Sequence, residues 1–314
     1  MRFGIIGLGK ISDRIAKGIE CSEYGTLYAV ASRSYEKALA FRERHHAEIA
    51  YGSYEELLND PNVDIVYIAT INQNHYELIK MCADHGKNII CEKPLVKDYE
   101  ETKEIYAYAK LKRVFLMEAQ KACFTNLTRK IRSIISDGVI GKIESIKASY
   151  CMNADYVSDH WVMDKIYGGV MKDIGVYPLA YANLIADAKI RDVDVTSVKR
   201  ENGVDVRVEL KVKYANNVIA YLMASFRDEM TNYAVIKGTR GTIIVENFWK
   251  NNKATLTVGR NMINIEVEQE SEFQAEIDHA CMCIMNGFKK SLVYGREASI
   301  KVAEIVDMVK NIQS

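Results

Sequence analysis

The 314-residue sequence has no excess of charge of either sign, because 42 Lys and Arg residues are balanced by 42 Asp and Glu residues. It therefore lacks the basic footprint of a general nucleic-acid binder or a polybasic membrane protein. Only 3 prolines are present, which excludes long proline-rich linkers. No run approaches the roughly 18 apolar residues that span a bilayer, and the first residues have no signal-peptide pattern. We therefore expect a cytoplasmic protein with no nucleic-acid or membrane partner.

Cysteine occurs 7 times, an odd number at scattered positions, which does not favour a disulfide framework. Cys281 and Cys283 lie two residues apart in a helical pattern, so they point to nearly opposite sides, and we expect no metal site. Hydrophobic residues make up 48% of the chain and charged residues 27%, an ordinary globular balance. The length predicts about two domains, at roughly 150 residues each.

Strand and helix patterns alternate through the first third of the chain. Short apolar runs at 3–7 and 63–69 are typical of buried strands, whereas 11–19 has the apolar spacing of a helix. Strands separated by helices imply right-handed crossovers and a parallel sheet. We therefore predict a doubly wound α/β Rossmann domain over residues 1–118.

The pattern changes after residue 118. Strand patterns follow one another with no helix between them, at 204–212, 218–226, 233–237, 242–246, 254–258 and 263–267. Three further helices are predicted at 170–186, 273–287 and 297–312. Consecutive strands joined by hairpin signals such as Asn202-Gly203 predict an antiparallel sheet. We therefore predict a second domain of class α+β over residues 119–314, with an open, mostly antiparallel sheet and flanking helices.

The turn between the first strand and the first helix has the glycine spacing of a dinucleotide phosphate loop. Gly7 permits the tight turn, Gly9 lets the backbone approach a pyrophosphate, and the helix N-terminus supplies N–H groups. Ser12 replaces the third glycine and is small enough for close packing. The residues predicted to bind a cofactor in this turn are Gly7, Gly9, Lys10 and Ile11.

The end of the second predicted strand bears on which nucleotide fits. Sites that prefer NAD usually carry Asp or Glu there, and this chain carries Ser32, Arg33 and Ser34. Two hydroxyls and a guanidinium would bind a 2′-phosphate through charge-assisted hydrogen bonds. We therefore predict a preference for NADP(H). The alternative is NAD(H), with Arg33 as a solvated loop residue.

Polar residues follow two further strands of the predicted parallel sheet, and ligands of open parallel sheets bind at these strand ends. Thr70, Asn72 and His75 follow one strand, and Glu92 and Lys93 follow the next. A Glu-Lys pair next to a proline is poor strand material, so its position favours a binding or catalytic site. For His75, helix capping or packing is the alternative to ligand contact.

A second polar group lies in the other half of the chain, where two adjacent glycines precede Asp173 and Tyr177. If this segment is helical, the two side chains share one face, and Pro178 requires a kink or a local break. The polar and aromatic loop 155–161, which ends at Trp161, would wall a sugar-like or diol substrate. The alternative for this loop is simple packing on the sheet.

Together, the phosphate loop, Glu92-Lys93-Pro94 and the Gly-Gly-x-x-x-Asp-x-Gly-x-Tyr segment at 168–177 resemble the Gfo/Idh/MocA oxidoreductase family. Residues 116–119 and 276–279 add weaker support. The resemblance covers essentially the whole chain in the same order. With a tyrosine in the last motif, the chain is similar to the dihydrodiol dehydrogenase and glucose–fructose oxidoreductase-like members of the family.

The resemblance implies that Lys93 is the catalytic lysine, Asp173 its acidic partner and Tyr177 the residue that other members replace by His. Together with Trp161, these side chains would contact the substrate. A lysine beside a positively charged nicotinamide gives up its proton more readily. Either Lys93 or Tyr177 would then take the hydroxyl proton during alcohol oxidation, and donate it in the reverse direction.

The resemblance also implies that Glu92 lies by the nicotinamide ribose, and Thr70 with Asn72 by the other half of the cofactor. It further implies a homodimer, or a dimer of dimers, formed through the open face of the antiparallel sheet.

The chain departs from the family pattern at two places; the first should matter little, and the second lies on the substrate side. Ile71 stands where proline is common, and Gln120 and Lys121 replace an aromatic residue and an arginine. We expect an NADP(H)-dependent oxidoreductase that acts on the CH–OH or C=O group of a small-molecule sugar, polyol or trans-diol. The alternative is a non-catalytic NAD(P)-sensing regulatory protein of the same family.

Overall fold

The structure is a computed structural model that describes residues 1–154 and 160–312. Its strands are β1 (Arg2–Ile6), β2 (Thr26–Ala31), β3 (Ile49–Tyr51), β4 (Ile65–Ile68), β5 (Asn88–Cys91), β6 (Leu116–Glu118), β7 (Ile143–Cys151), β8 (Ile190–Glu201), β9 (Val204–Tyr214), β10 (Ile219–Ser225), β11 (Tyr233–Gly238), β12 (Gly241–Glu246), β13 (Lys253–Val258) and β14 (Asn261–Glu266). Its α-helices are α1 (Lys10–Glu20), α2 (Tyr35–His45), α3 (Tyr54–Asn59), α4 (His75–Asp84), α5 (Tyr99–Leu111), α6 (Asn126–Ser136), α7 (Val176–Ala186), α8 (Gln274–Met285) and α9 (Arg296–Asn311).

The chain divides into two compact units. Unit 1 contains Met1–Lys121 and Glu270–Ile300, and unit 2 contains Ala122–Gln269 and the chain from Lys301 onward. Within the described ranges, every helix is too short or too polar to cross a membrane.

Unit 1 is built on a six-stranded parallel sheet with the order β3-β2-β1-β4-β5-β6. Every residue of β4 is buried, as expected for a strand that helices cover on both faces. Strand order reverses beside β1, which pairs with β2 on one side and β4 on the other. Ligands of doubly wound sheets bind in the crevice at such a reversal. The loops after β1 and β4 therefore flank the expected binding site.

Unit 2 is built on an eight-stranded sheet with the order β14-β13-β12-β11-β7-β10-β9-β8. All its pairings are antiparallel except that of β7 with β10. In β9 the even-numbered residues are buried and the odd-numbered ones are partly exposed. This alternation gives the sheet one face that packs on the interior of unit 2 and one that faces outward.

The predicted fold class is confirmed: a doubly wound parallel sheet is followed by a mostly antiparallel one. Three elements were not predicted, namely β3, α3 and β8. The first two are only 3 and 6 residues long, too short for a periodic pattern to stand out. The predicted helix 170–186 is instead a π-helical turn, Met171–Gly175, followed by α7. Pro178 falls in the first turn of α7, directly after the π-helical turn, and this change of helix type is the local irregularity expected of a proline within a helical segment.

Residues 270–300, which the sequence analysis assigned to the second domain, group with unit 1. Contact between α8 and α1 explains this, because Gly18 of α1 packs directly against Phe273 and Ile277. A Cβ on Gly18 would lie 2.6 Å from the Phe273 Cβ. The predicted functional division into domains at 1–118 and 119–314 stays a prediction.

Candidate functional site

The turn from β1 into α1 places two glycines at the reversal in strand order. Gly7 has a φ of +90°, and a Cβ there would lie 2.8 Å from the Thr70 backbone nitrogen. A Cβ on Gly9 would meet no heavy atom within 4 Å, so the backbone there is open to a ligand. Because Gly9 is the N-cap of α1, the first N–H groups of the helix remain available to an anion. This open backbone fits a dinucleotide pyrophosphate.

Ser12 has a structural task in the same turn. Its side chain is fully buried, and its hydroxyl donates a hydrogen bond to the Gly9 carbonyl oxygen. The close packing expected of a third glycine is thus kept, and the added hydroxyl stabilises the turn. Lys10 is exposed and Ile11 half-buried at the start of α1.

The segment after β2 contains one hydroxyl that caps a helix and one available cation. Ser34 is the N-cap of α2, accepts a 3.3 Å hydrogen bond from the Lys37 amide, and donates its hydroxyl proton to Glu36 at 2.8 Å. Arg33 is exposed and makes no ion pair with any residue that the structure describes. Ser32 accepts a 3.3 Å hydrogen bond from the Ser34 amide. Among these three residues, Arg33 is the cation available to an anionic ligand.

His75 connects the loops that follow β4 and β5. Its ring is 1% exposed, and Nδ1 lies 3.0 Å from the Pro94 carbonyl oxygen and 3.1 Å from that of Leu95. Nε2 lies 3.1 Å from the Thr70 carbonyl oxygen. Burial lowers the pKa of this imidazole. The contacts are those of the packing role that the sequence left open for His75, and they hold the Lys93–Pro94 segment against the Thr70 loop.

Glu118, at the end of β6, holds the same segment from another side. Its carboxylate accepts a 3.1 Å hydrogen bond from the Leu95 amide and another from the Ser299 hydroxyl. The side chain is 3% exposed, and burial raises its pKa to about 7. In the sequence, Glu118 is part of the 116–119 stretch that adds only weak support for the family resemblance. Glu118 thus positions the backbone two residues beyond Lys93.

A buried cluster of ionisable groups underlies the ends of β4 and β5. The Tyr67 hydroxyl lies 3.0 Å from Glu92 Oε1 and 3.1 Å from Glu276 Oε1. Burial raises the pKa of Glu92, and burial together with the nearby Glu92 charge raises that of Glu276 to about 8. Tyr67 was not predicted as a polar contact, since it lies within an apolar strand pattern.

Lys121 is a buried cation close to this cluster. Its ammonium lies 3.3 Å from Glu272 Oε1 and 4.6 Å from the centre of the Phe273 ring. The side chain is 6% exposed, and burial, followed by the Arg14 charge, lowers its pKa to about 7. Arg14 contacts the same Glu272 carboxylate. The departure from the family pattern at Lys121 is thus part of an ion-pair network.

In unit 2, Asp173 lies in the π-helical turn and Tyr177 in the first turn of α7, and both are half-buried. Gly169, with a φ of +108°, precedes this turn. The Asp205 carboxylate accepts a 2.9 Å hydrogen bond from the Met171 amide and occupies the space that a Cβ on Gly169 would need. Asp205 thus anchors the turn that holds Asp173, a role that the strand pattern of β9 did not reveal.

An aromatic stack lies beside Tyr177. The Tyr150 ring on β7 stacks on Trp249 with centroids 3.7 Å apart and planes 11° apart. The Tyr150 and Tyr177 centroids are 5.7 Å apart. Trp161 is half-buried in a short 3₁₀ turn, and the rest of the predicted substrate loop, 155–159, lies outside the described residues. The Tyr150 ring is therefore an aromatic neighbour of Tyr177, and Trp249 supports it from the other side.

The predicted residues fall into two groups. Those assigned to the cofactor follow neighbouring strands at the carboxyl edge of one sheet in unit 1: Gly7, Gly9, Lys10, Ile11, Ser32, Arg33, Ser34, Thr70, Asn72, His75, Glu92 and Lys93. Asp173, Tyr177 and Trp161 belong to unit 2. Their roles in binding and catalysis stay predictions. Among the described residues, no three His, Cys, Asp or Glu side chains cluster to hold a metal ion.

Comparison with known families gives two matches along the chain. Residues 1–120 match a model described as "Oxidoreductase family, NAD-binding Rossmann fold". Residues 128–244 match the GFO/IDH/MocA C-terminal domain.

Comparison with individual proteins gives relatives over nearly the full length. The chain is 30% identical over 319 residues to a trans-1,2-dihydrobenzene-1,2-diol dehydrogenase of Xenopus tropicalis, covering 98% of this chain and 96% of that protein. A 3-ketoreductase from Actinomadura kijaniata in complex with NADP and TDP-benzene is 25% identical, with a TM-score of 0.84 over 99% of this chain and 97% of that one. An aldose-aldose oxidoreductase from Caulobacter crescentus, 20% identical, shares the fold with a TM-score of 0.89 over 98% of this chain and 96% of that one.

The raised pKa of Glu118 predicts a specific pH dependence of stability. A carboxyl whose pKa rises from 4.5 to about 7 on folding stabilises the fold fully below pH 4.5, and this contribution is lost as pH rises towards 7. The neutral variant Glu118→Gln should lack this loss. Its free energy of unfolding relative to wild type should therefore rise by about 3 kcal/mol across that window, as measured by urea denaturation. The exposed control Glu43→Gln should show no such trend, and parallel curves for wild type and Glu118→Gln would contradict the assignment.

Proposed function

Because this chain belongs to the Gfo/Idh/MocA oxidoreductase family, we propose that it transfers a hydride between NADP(H) and a CH–OH or C=O group of a sugar, polyol or trans-diol. The observation that carries the proposal is the position of Lys93. Lys93 follows β5 at the carboxyl edge of the parallel sheet. The glycine turn lies at the same edge, after β1, where the strand order reverses. Two buried side chains, His75 and Glu118, fix the backbone around it.

Binding of the cofactor rests on three groups of residues in unit 1. The open backbone at Gly9 and the N-terminus of α1 fit the pyrophosphate. Arg33, exposed and without a carboxylate partner among the described residues, fits the 2′-phosphate of NADP(H). The Glu92 carboxylate, at the end of β5, fits the nicotinamide ribose.

The chain's own side chains supply the proton chemistry. When bound, NADP(H) supplies the hydride acceptor or donor. In alcohol oxidation the substrate hydroxyl proton passes to Lys93 Nζ or Tyr177 Oη, and the same groups return it in carbonyl reduction. Asp173, held in the π-helical turn, orients the tyrosine of the same unit. A pure nucleotide sensor has no use for such a set, so these residues argue against the regulatory alternative.

The substrate class rests on the neighbourhood of Tyr177 and on the relatives. The half-buried Tyr150 ring, which stacks on the buried Trp249, offers an apolar wall to one face of a cyclic alcohol or ketone. The named relatives are a trans-1,2-dihydrobenzene-1,2-diol dehydrogenase and a 3-ketoreductase whose structure holds NADP and TDP-benzene. Both are consistent with a ring that carries a secondary hydroxyl or carbonyl group.

We also propose that the outward face of the unit 2 sheet pairs with a second copy of the chain. A groove of about 220 Å³ crosses this face, and its lining includes Tyr221, Met223 and Met230. Tyr221 is 44% exposed and Met230 is 40% exposed. Large apolar side chains grouped on one open sheet face are typical of an interface between protein chains.

Lys93→Met is the test of the catalytic assignment. The variant removes the amine and keeps the apolar stem, so it should fold and bind NADPH while turnover falls at least about a hundredfold. Turnover is measured at 340 nm with NADPH or NADP⁺ on a panel of aldoses, polyols, trans-diols and their carbonyl counterparts. Lys110→Met, an exposed lysine on α5, is the matched control and should keep full activity. Unchanged turnover in Lys93→Met would refute the assignment.

If wild type turned over no member of the panel yet bound NADPH, the regulatory alternative would be favoured.

Arg33→Ala tests the cofactor preference. Loss of a charge-assisted contact to the 2′-phosphate should weaken NADPH binding by about 10- to 100-fold and leave NADH binding nearly unchanged. Dissociation constants from nicotinamide fluorescence titrations measure both. Arg42→Ala, at the other end of α2, serves as control. Equal affinity of the wild-type protein for NADH and NADPH would discard the preference.

Tyr221→Glu tests the proposed pairing of unit 2 sheets. A charge buried in an apolar interface is costly, so the variant should shift the protein from dimer to monomer. Light scattering after size-exclusion chromatography reports the mass. Leu111→Glu introduces the same charge at a 74% exposed position on α5 and should leave the dimer intact. A monomeric wild-type protein would end this proposal.

A further inference from the structure

The number of protons in the Tyr67 cluster follows from its geometry. The Tyr67 hydroxyl lies within hydrogen-bond distance of two carboxylate oxygens, 3.0 Å from Glu92 Oε1 and 3.1 Å from Glu276 Oε1. A phenol has one proton to donate, and an ionised carboxylate has none. Both contacts are hydrogen bonds only if one carboxyl group is protonated and donates to the phenol oxygen. The three side chains therefore hold one proton beyond that of the phenol.

The surroundings identify Glu276 as the carboxyl group that keeps this proton. Its side chain is fully buried, and its Oε2 has no hydrogen-bond partner among the described residues. An ionised carboxylate in that setting is costly, whereas a neutral acid leaves only an uncharged carbonyl oxygen without a partner. Glu92 is only partly buried and accepts a 3.2 Å hydrogen bond from the Lys93 amide.

Burial and the Glu92 charge outweigh the three contributions that favour ionisation of Glu276, which come from the Tyr67 hydroxyl, the Lys121 charge and the Gln120 amide. Lys93 and Lys121 both favour the ionised form of Glu92, while the Glu92 charge disfavours ionisation of Glu276. Lys121 itself forms an ion pair with Glu272, and the nearby Arg14 charge lowers the pKa of Lys121. The pKa of Glu276 is raised to about 8, above neutral pH. Glu118 lies close enough for its pKa to be raised by the Glu92 charge.

We propose that Glu92, Tyr67 and Glu276 form a proton-sharing triad that, in the free protein, holds one proton beyond that of the phenol and releases it to water when a positive charge arrives beside Glu92. This inference rests on the proposed function, because the positive charge is that of an oxidised nicotinamide ring. The proton leaves Glu276 for the phenol oxygen as the phenol proton moves to Glu92, and Glu92 loses it to solvent. No bond other than O–H bonds forms or breaks, and both carboxylates end ionised, offset by the new positive charge.

The resting proton is tested in the free protein by infrared spectroscopy. Wild type at pH 7 should show the carbonyl stretch of a protonated carboxylic acid, and a component of it should be missing from Glu276→Gln, which keeps the shape but has no acid. The exposed control Glu43→Gln should retain the whole band. A band that is identical in wild type and Glu276→Gln would overturn the shared proton, whatever the protein binds.

Proton release is tested by titration calorimetry in buffers of different ionisation enthalpy at pH 7. Wild type should release roughly one proton more on binding NADP⁺ than on binding NADPH, whose ring is neutral. Glu276→Gln should lose this difference, and Tyr67→Phe should reduce it, because the phenol bridge is gone. A purely structural role would change affinity for both cofactors and leave the proton count the same. Equal proton counts for the two cofactors in wild type would overturn the release step. Failure to bind either cofactor would overturn the proposed function and the release step, and leave the infrared result standing.

Discussion

The cost of burying charge beneath the carboxyl edge of the parallel sheet is the constraint on which the rest of unit 1 depends. Four ionisable side chains lie in or close to that edge: Glu92, Glu118, Glu276 and Lys121. Burial raises the pKa of the three carboxyl groups and lowers that of the lysine, so it favours the neutral form of each. Buried ionisable groups persist only where hydrogen bonds or opposite charges compensate their lost hydration. Those partners come from the loop after β5, from β4 itself and from α9. Backbone amides, a phenol and a serine hydroxyl therefore converge on the carboxylates.

One consequence is that the loops at the sheet edge are bonded to one another rather than only to their own strands. His75 connects the carbonyl groups after β4 and β5, while Glu118 connects the amide of Leu95 to Ser299. Because Lys93 stands between these contacts, its backbone is fixed from two sides. A lysine whose role is proton transfer needs such fixation, since an error of about 1 Å in position costs catalysis roughly a hundredfold. The hydrogen bonds that compensate the buried His75 and Glu118 side chains therefore also position the backbone of Lys93.

Sequence patterns were informative wherever the signal was local. The glycine turn, the buried strands predicted at 3–7 and 63–69 and the alternation of β9 all follow from residues within a short window, and the structure contains each of them. The contact of Tyr67 with Glu276 joins residues 209 positions apart, and no local pattern encodes it. Tyr67 reads as a core residue because its strand is apolar, and Glu276 reads as part of an amphipathic helix. The grouping of 270–300 with unit 1 was missed for the same reason, since it depends on the absence of a side chain at Gly18.

The departure from the family pattern at Lys121 becomes intelligible through the same charge balance. The resemblance predicts an aromatic residue and an arginine in this region, and this chain has Gln120 and Lys121. Lys121, like the arginine of the family pattern at this position, places a positive charge near Glu92 and Glu276. A neutral side chain at 121 would make ionisation of both carboxyls harder, because an opposite charge nearby favours the charged form. Lys121 therefore keeps the cluster close to the point at which one added positive charge removes its proton. Its own pairing with Glu272, which Arg14 shares, keeps the lysine from competing for that proton outright.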